Sequence, residues 1–108
     1  MEMDNFAAVY KILHALEACM DLEKANIDMF SAQKLGVSQQ RWNKYIEMMH
    51  DVGYIKGVEI NEFVTGEKEI DCEDIQITLK GLEYLQENSI MRKIYKAAKG
   101  VKEITPGI

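Results

Sequence analysis

Between Ser38 and Gly53 the chain reads SQQRWNKYIEMMHDVG, and at about 100° per residue Trp42, Tyr45, Ile46 and Met49 fall on one side of a helical wheel. Gln40, Lys44, Glu47 and Asp51 fall on the other. One face is core and the other is wet. Ser38 is placed to accept a backbone N–H of the first turn, and Gly53 to close the helix in the left-handed region. Upstream, Phe6, Val9, Leu13, Leu16 and Met20 recur at three- and four-residue spacing, with Tyr10 and Ile12 widening the stripe. That spacing predicts a helix over 5–20, capped by Asp4. After the polar link DLEKAN, the stretch IDMFSAQKLGV predicts a second helix of two or three turns, capped by Asn26 or Asp28 and stopped by Gly36.

Beyond Gly53 the pattern changes from helical to extended. Tyr54, Ile55, Val58 and Ile60 supply the β-branched and aromatic residues of a strand. The acidic stretch NEFVTGEKEIDCED, with Gly66 in it, reads as a loop or hairpin tip, and IQIT alternates as a short return strand. Thr78 then caps a helix, TLKGLEYLQEN, whose Leu79, Leu82 and Leu85 point one way. A last helix from about Ser89 to Ile104 sets Ile90, Ile94, Ala97, Val101 and Ile104 against Arg92, Lys96 and Lys99, before Pro106 and Gly107 end regular structure.

Three helices, a β-hairpin and one or two C-terminal helices are the element order of a winged helix-turn-helix, an α+β, mostly α fold. A lone hairpin is marginal in water, so its apolar residues must pack on the helices. One winged-helix domain over residues 1–108 is expected, with 89–104 as a C-terminal accessory helix.

Two stretches carry a resemblance. The GYI of residues 53–55 and the ITLKGLEYL of residues 77–85 look like the motifs flanking the wing of many bacterial winged-helix proteins. More narrowly, ITLKGLEYLQENSIMRKIYKAAKGVKEI resembles the C-terminal half of the YjcQ family, small winged-helix proteins of Gram-positive bacteria and their phages. The likeness covers most of the chain in element order and residues 53–104 in residue pattern. It implies architecture and origin, and no particular activity.

Charge sharpens the picture more than composition does. The net −5 divides into −3 over residues 1–53, −5 over 54–77 and +3 over 78–108. A polyanion must therefore be met by selected faces, because the whole molecule repels it. The hydrophobic fraction of 47% contains no apolar run that could span a bilayer, and the acids of MEMDNFAAVYKIL are unlike a secretory signal, so a cytoplasmic protein without membrane contact is expected. Cys19 and Cys72 lie far apart without partners at ligand spacing, which argues against zinc and for reduced thiols, with Cys19 in packing and Cys72 incidental. No metal and no cofactor are expected.

In a helix-turn-helix the second helix of the motif offers its first residues to base edges. Here those are Gln39, Gln40, Arg41, Asn43 and Lys44, and the chemistry suits: Gln and Asn pair with adenine and Arg with guanine, each through two hydrogen bonds. Glu47 and Asp51 would repel phosphates, so only the first two turns can enter a groove. The acidic wing, with few lysines, is ill-suited to the phosphate backbone. Arg92, Lys96 and Lys99 offer a second surface for phosphate or a partner, and the apolar side of their helix can pair with a second copy to make a homodimer. His14 and His50 stand without a nucleophile or paired carboxylate, and no catalytic motif appears, so an enzyme is not expected. The sequence points to a small transcriptional or phage regulatory protein that binds duplex DNA. The alternative is a winged helix used for protein–protein interaction without DNA contact.

Overall fold

The computed structural model describes residues 5–88. These form an α+β, mostly helical unit: α1 (Asn5–Ala18), a 3-10 turn (Ile27–Phe30), α2 (Ala32–Leu35), α3 (Gln39–Asp51), and strands β1 (Ile55–Lys56), β2 (Glu59–Glu62), β3 (Lys68–Asp71) and β4 (Gln76–Ile77). Helix α4 follows over 79–88. The expected Asp4 cap and the expected helix over 89–104, with Arg92, Lys96 and Lys99, lie outside the described residues.

Side-chain caps set most helix starts where the sequence predicts them. The Ser38 hydroxyl accepts from the Arg41 N–H at 3.0 Å, and the Thr78 hydroxyl from the Gly81 N–H at 3.1 Å. The second predicted helix is instead two pieces. Asn26, rather than Asp28, caps the 3-10 turn, and Ser31 breaks out at ψ 164° to accept from the Lys34 N–H at 3.1 Å and begin α2. A serine that can satisfy a free backbone N–H competes with continuing the helix, and here it wins.

The first helix buries part of its predicted stripe, Ile12, Leu13 and Leu16, and extends that face towards Ala8 and Ala15 rather than towards Phe6 and Met20. Ala8, Ile12, Leu13, Ala15 and Leu16 are buried, while Phe6 and Met20 are 73% and 56% exposed. Phe6 and Val9 on one side and Ala8 and Ala15 on the other both extend the Ile12–Leu16 stripe, so periodicity alone does not choose between them. Packing chooses: α1 lies on β4 and on the 3-10 turn, and alanines on the contact side allow a close approach. In α4 the expected stripe holds at Leu85, which is buried, and Leu82, which packs half-buried on the core, while Leu79 in the first turn is 73% exposed.

Trp42 sits at the centre of the core. Its ring stacks on Phe30 with centroids 6.3 Å apart, and its Nε1 donates to the Phe30 carbonyl at 2.7 Å. Tyr45, Ile46 and Met49 complete the buried face of α3 as the wheel predicts.

The strands form one long hairpin carrying two ladders. Ile55 and Lys56 pair with Ile77 and Gln76, and beyond an interruption Glu59–Glu62 pairs antiparallel with Lys68–Asp71, Ile60 facing Ile70. Much of the expected loop is thus strand: residues 63–67 turn at the tip, closed by the Phe63 N–H on the Glu67 carbonyl at 2.8 Å, and a second turn at Glu73 and Asp74 is closed by the Ile75 N–H on the Cys72 carbonyl at 3.1 Å. The acids of this stretch disfavour strand, and the half-buried Ile60–Ile70 pair outweighs them. Gly57 makes the interruption possible. It sits at φ +80°, and a Cβ there would lie 1.9 Å from the Asp74 carbonyl oxygen.

Cys72 lies beside that interruption, and it is not incidental. It is 9% exposed and, like Cys19, a buried free thiol. Burial, and secondarily the Asp71 carboxylate, push its pKa up from 9.0 to about 11. The folded chain therefore keeps a proton that the unfolded chain releases. This contribution to stability is whole below about pH 9 and is lost as pH rises to about 11. At about pH 8 iodoacetamide should modify Cys72 far more slowly in the native protein than in denaturant, read by mass spectrometry. Equal rates would place the thiol at the surface.

The stretches that carry the family resemblance meet in space. The Thr78 N–H donates to the Tyr54 carbonyl at 2.9 Å, and the Thr78 hydroxyl donates to the Gly53 carbonyl. Thr78 thereby locks the end of α3 to the start of α4 while capping α4. Tyr54 and Tyr84 pack above this lock with ring centroids 4.9 Å apart.

Candidate nucleic-acid interface

Helix α3 offers two solvent-facing flanks. Gln39, Asn43 and Glu47 share one ridge, which meets the hairpin at Glu47, while Arg41, Met48 and Val52 lie on the side of α1. All five predicted contact residues reach solvent: Gln39, Gln40, Arg41 and Lys44 are exposed and Asn43 is half-buried. They do not form one cluster. Gln39 donates through its amide to the Asn43 carbonyl oxygen at 3.0 Å, which orients two adenine-type readers side by side. Arg41 turns the other way, its guanidinium donating to Asn5 Oδ1 at 3.0 Å, and the Tyr45 hydroxyl donates to the same oxygen. Arg41 therefore stitches α1 to α3 as well as facing solvent. Sequence alone treats it as a free base-reader.

The hairpin changes the electrostatics of this surface. Lys68 of β3 reaches Glu47 Oε2 at 2.9 Å. That hydrogen bond first, and then the Coulomb attraction of Glu47, raise the Lys68 pKa and hold it charged. One of the two acids expected to repel phosphate is thus paired. Asp51 remains exposed at the far end of the helix, and the hairpin beyond it carries Glu62, Glu67 and Glu69 on its exposed surface. On the opposite side Lys24 holds Glu73 at 2.9 Å and Asp74 at 3.7 Å, tying the segment after α1 to the hairpin base.

Between α1, α3 and Tyr84 runs a groove of about 730 Å³. Its floor and walls include Phe6, Val9, Met48 and Val52, and its rim is Gln40, Arg41 and Lys44. Sequence reasoning missed it, because Phe6 and Val52 come together only in the folded chain. A signal was available in that Met48 and Val52 fall between the core and polar faces of the wheel. Among the described residues no three His, Cys, Asp or Glu side chains converge as a metal site, and His14 lies stacked against Tyr10 at 5.9 Å.

The sequence model of one family, described as YjcQ protein, matches residues 10–104. The chain belongs to the YjcQ family. The match takes in all of α2, α3, the hairpin and α4, so the Thr78 lock and the polar start of α3 lie inside the family region of this YjcQ chain. No curated protein and no solved structure matches it. Among the described residues no helix is long and apolar enough to cross a membrane.

Proposed function

We propose that this YjcQ chain is a small winged-helix protein that binds duplex DNA through the first two turns of α3, in transcriptional or phage regulation and without catalysis of its own. The observation that carries the reading is the make-up of that helix start. From Gln39 to Ile46 it holds no acid, exposes Gln39, Gln40, Arg41 and Lys44, and half-exposes Asn43. The Glu47–Lys68 pair supports it by removing a repulsive charge next to the site. The helices followed by a long hairpin suit a winged helix, with β2 and β3 as the wing.

The test is the affinity for mixed genomic duplexes at about 50 and 200 mM salt, which should fall steeply as counterion release loses its value. Lys44→Ala should weaken binding severalfold and lower the salt slope by about one, with the thermal midpoint nearly unchanged, because Lys44 lies outside the core. Arg41→Ala should weaken binding too, and it should also lower the midpoint through the lost tie to Asn5. A duplex affinity independent of salt and of Lys44 would remove this reading.

One observation favours a second reading, a protein-interaction module that does not bind DNA. The hairpin surface is strongly acidic, with Glu59, Glu62, Glu67, Glu69 and Asp71 exposed, and a wing so charged repels phosphates. In that reading the second partner is a protein, or another copy of this chain through residues 89–104.

A further inference from the structure

The outer hairpin has two unlike faces. Its antiparallel register sets Glu59 opposite Asp71, Ile60 opposite Ile70, Asn61 opposite Glu69 and Glu62 opposite Lys68, so alternate pairs share a face. The half-buried Ile60–Ile70 pair and Lys68, which reaches Glu47, mark the face turned to the helices. Glu59, Asn61, Glu69 and Asp71 form the other, and all four are exposed. Two carboxylates stand directly opposite each other at Glu59 and Asp71, an arrangement that destabilises a ladder and that a counter-charge would relieve. At the tip Phe63 is 50% exposed and Val64 fully so, where a turn normally carries polar residues. An apolar tip beside an acidic face suits a partner that is basic and has apolar residues of its own.

We propose that the acidic outer face and tip of this hairpin receive residues 89–104 of a second copy of the chain, each copy giving and taking one such contact in a two-fold dimer. The sequence itself supplies the complement. Residues 89–104 hold Arg92, Lys93, Lys96, Lys99 and Lys102 against one acid, Glu103, with an apolar stripe of Ile90, Ile94, Val101 and Ile104. Nucleic acid and anionic lipid are repelled by the same carboxylates. A second copy, rather than the same one, is the donor because of where the segment starts. It continues from α4, whose Tyr84 packs on Tyr54 and lines the groove on the α1 flank of α3, whereas the hairpin meets α3 on the other flank at Glu47. The inference rests on the protein-interaction reading and deepens it by naming the partner. It does not require that DNA be excluded, since no residue of the outer face belongs to the start of α3.

The test uses charge-reversed full chains in sedimentation equilibrium at about 50 mM salt, where such contacts are little screened. The wild type should be a dimer. Glu59→Lys with Glu69→Lys in one chain, or Lys96→Glu with Lys99→Glu in another, should each weaken dimerisation about tenfold or more, like charge then facing like. An equimolar mixture of the two reversed chains should dimerise again, because each then meets its complement, and this also shows that both are folded. Val64→Ser, at the exposed tip, should weaken the wild-type dimer severalfold with the thermal midpoint unchanged. A wild type that stays monomeric would overturn the proposal, and a midpoint lowered by the reversals in that monomer would seat the segment on its own hairpin. A dimer indifferent to the hairpin reversal, or a mixture that does not associate, would overturn it too. Duplex binding is measured in parallel. Its dependence on Lys44 would remove the second reading's exclusion of DNA and leave the interface standing, while a monomeric wild type without duplex binding removes the interface and leaves that reading with another partner.

Discussion

Trp42→Ala is expected to destabilise the protein by about 3–5 kcal/mol, among the largest costs of any single truncation here. The indole is 5% exposed, stacks on Phe30 and donates to the Phe30 carbonyl at 2.7 Å. Truncation opens a cavity where α3 meets the 3-10 turn and leaves that carbonyl without its donor. Small domains have about 5–15 kcal/mol in total, so much of the folded population goes at body temperature. Trp42→Phe separates the two contributions. It keeps most of the buried ring and loses the hydrogen bond, and should cost about 1–2 kcal/mol. Urea denaturation followed by circular dichroism measures both, and a loss under about 1 kcal/mol for the alanine variant would move Trp42 out of the core.

Gly81→Ala should be nearly as costly, although alanine is normally the better helix former. A Cβ at this position would lie 2.5 Å from the Tyr54 carbonyl oxygen and 2.7 Å from Ile77 Cγ1. One of these is backbone, held in place by the Thr78 N–H. Helix α4 must therefore back away, breaking the Thr78 lock and loosening Tyr84 from Tyr54. A cost of about 3 kcal/mol is expected, at the upper end for an inserted methyl group. A helical glycine that merely lowered propensity would show the opposite sign, a gain of up to about 1 kcal/mol. The sign of one denaturation midpoint shift decides between them.

The elements most legible in the sequence are those with a local cause. The buried face of α3 follows from Trp42, Tyr45, Ile46 and Met49 falling together, and the starts of α3 and α4 from Ser38 and Thr78. The hairpin was legible in existence but not in extent, because β2 and β3 are held by one isoleucine pair among acids, and Gly57 gains its meaning only from Asp74 across the strand. The face of α1 is legible at Ile12, Leu13 and Leu16 and not at Ala8 and Ala15, because small alanines carry little periodic signal yet allow close packing. At the interface, the exposure of Gln40 and Lys44 is legible from the wet side of the wheel. Three features were not: Arg41 on Asn5, Lys68 on Glu47, and the groove. Each joins residues far apart in the chain, and no local pattern encodes such a meeting. The GYI and ITLKG stretches mark one such long-range contact, because a carbonyl, a hydroxyl and a missing Cβ must coincide there.

Nuclear magnetic resonance with a bound duplex locates the DNA contact, because the side-chain amides of Gln39, Gln40 and Asn43 report on α3 alone. If α3 reads DNA, these resonances and the backbone amides of the first two turns of α3 shift on adding duplex at low salt, while those of residues 63–67 at the hairpin tip stay in place. Shifts confined to the hairpin, with the α3 amides unmoved, would contradict it.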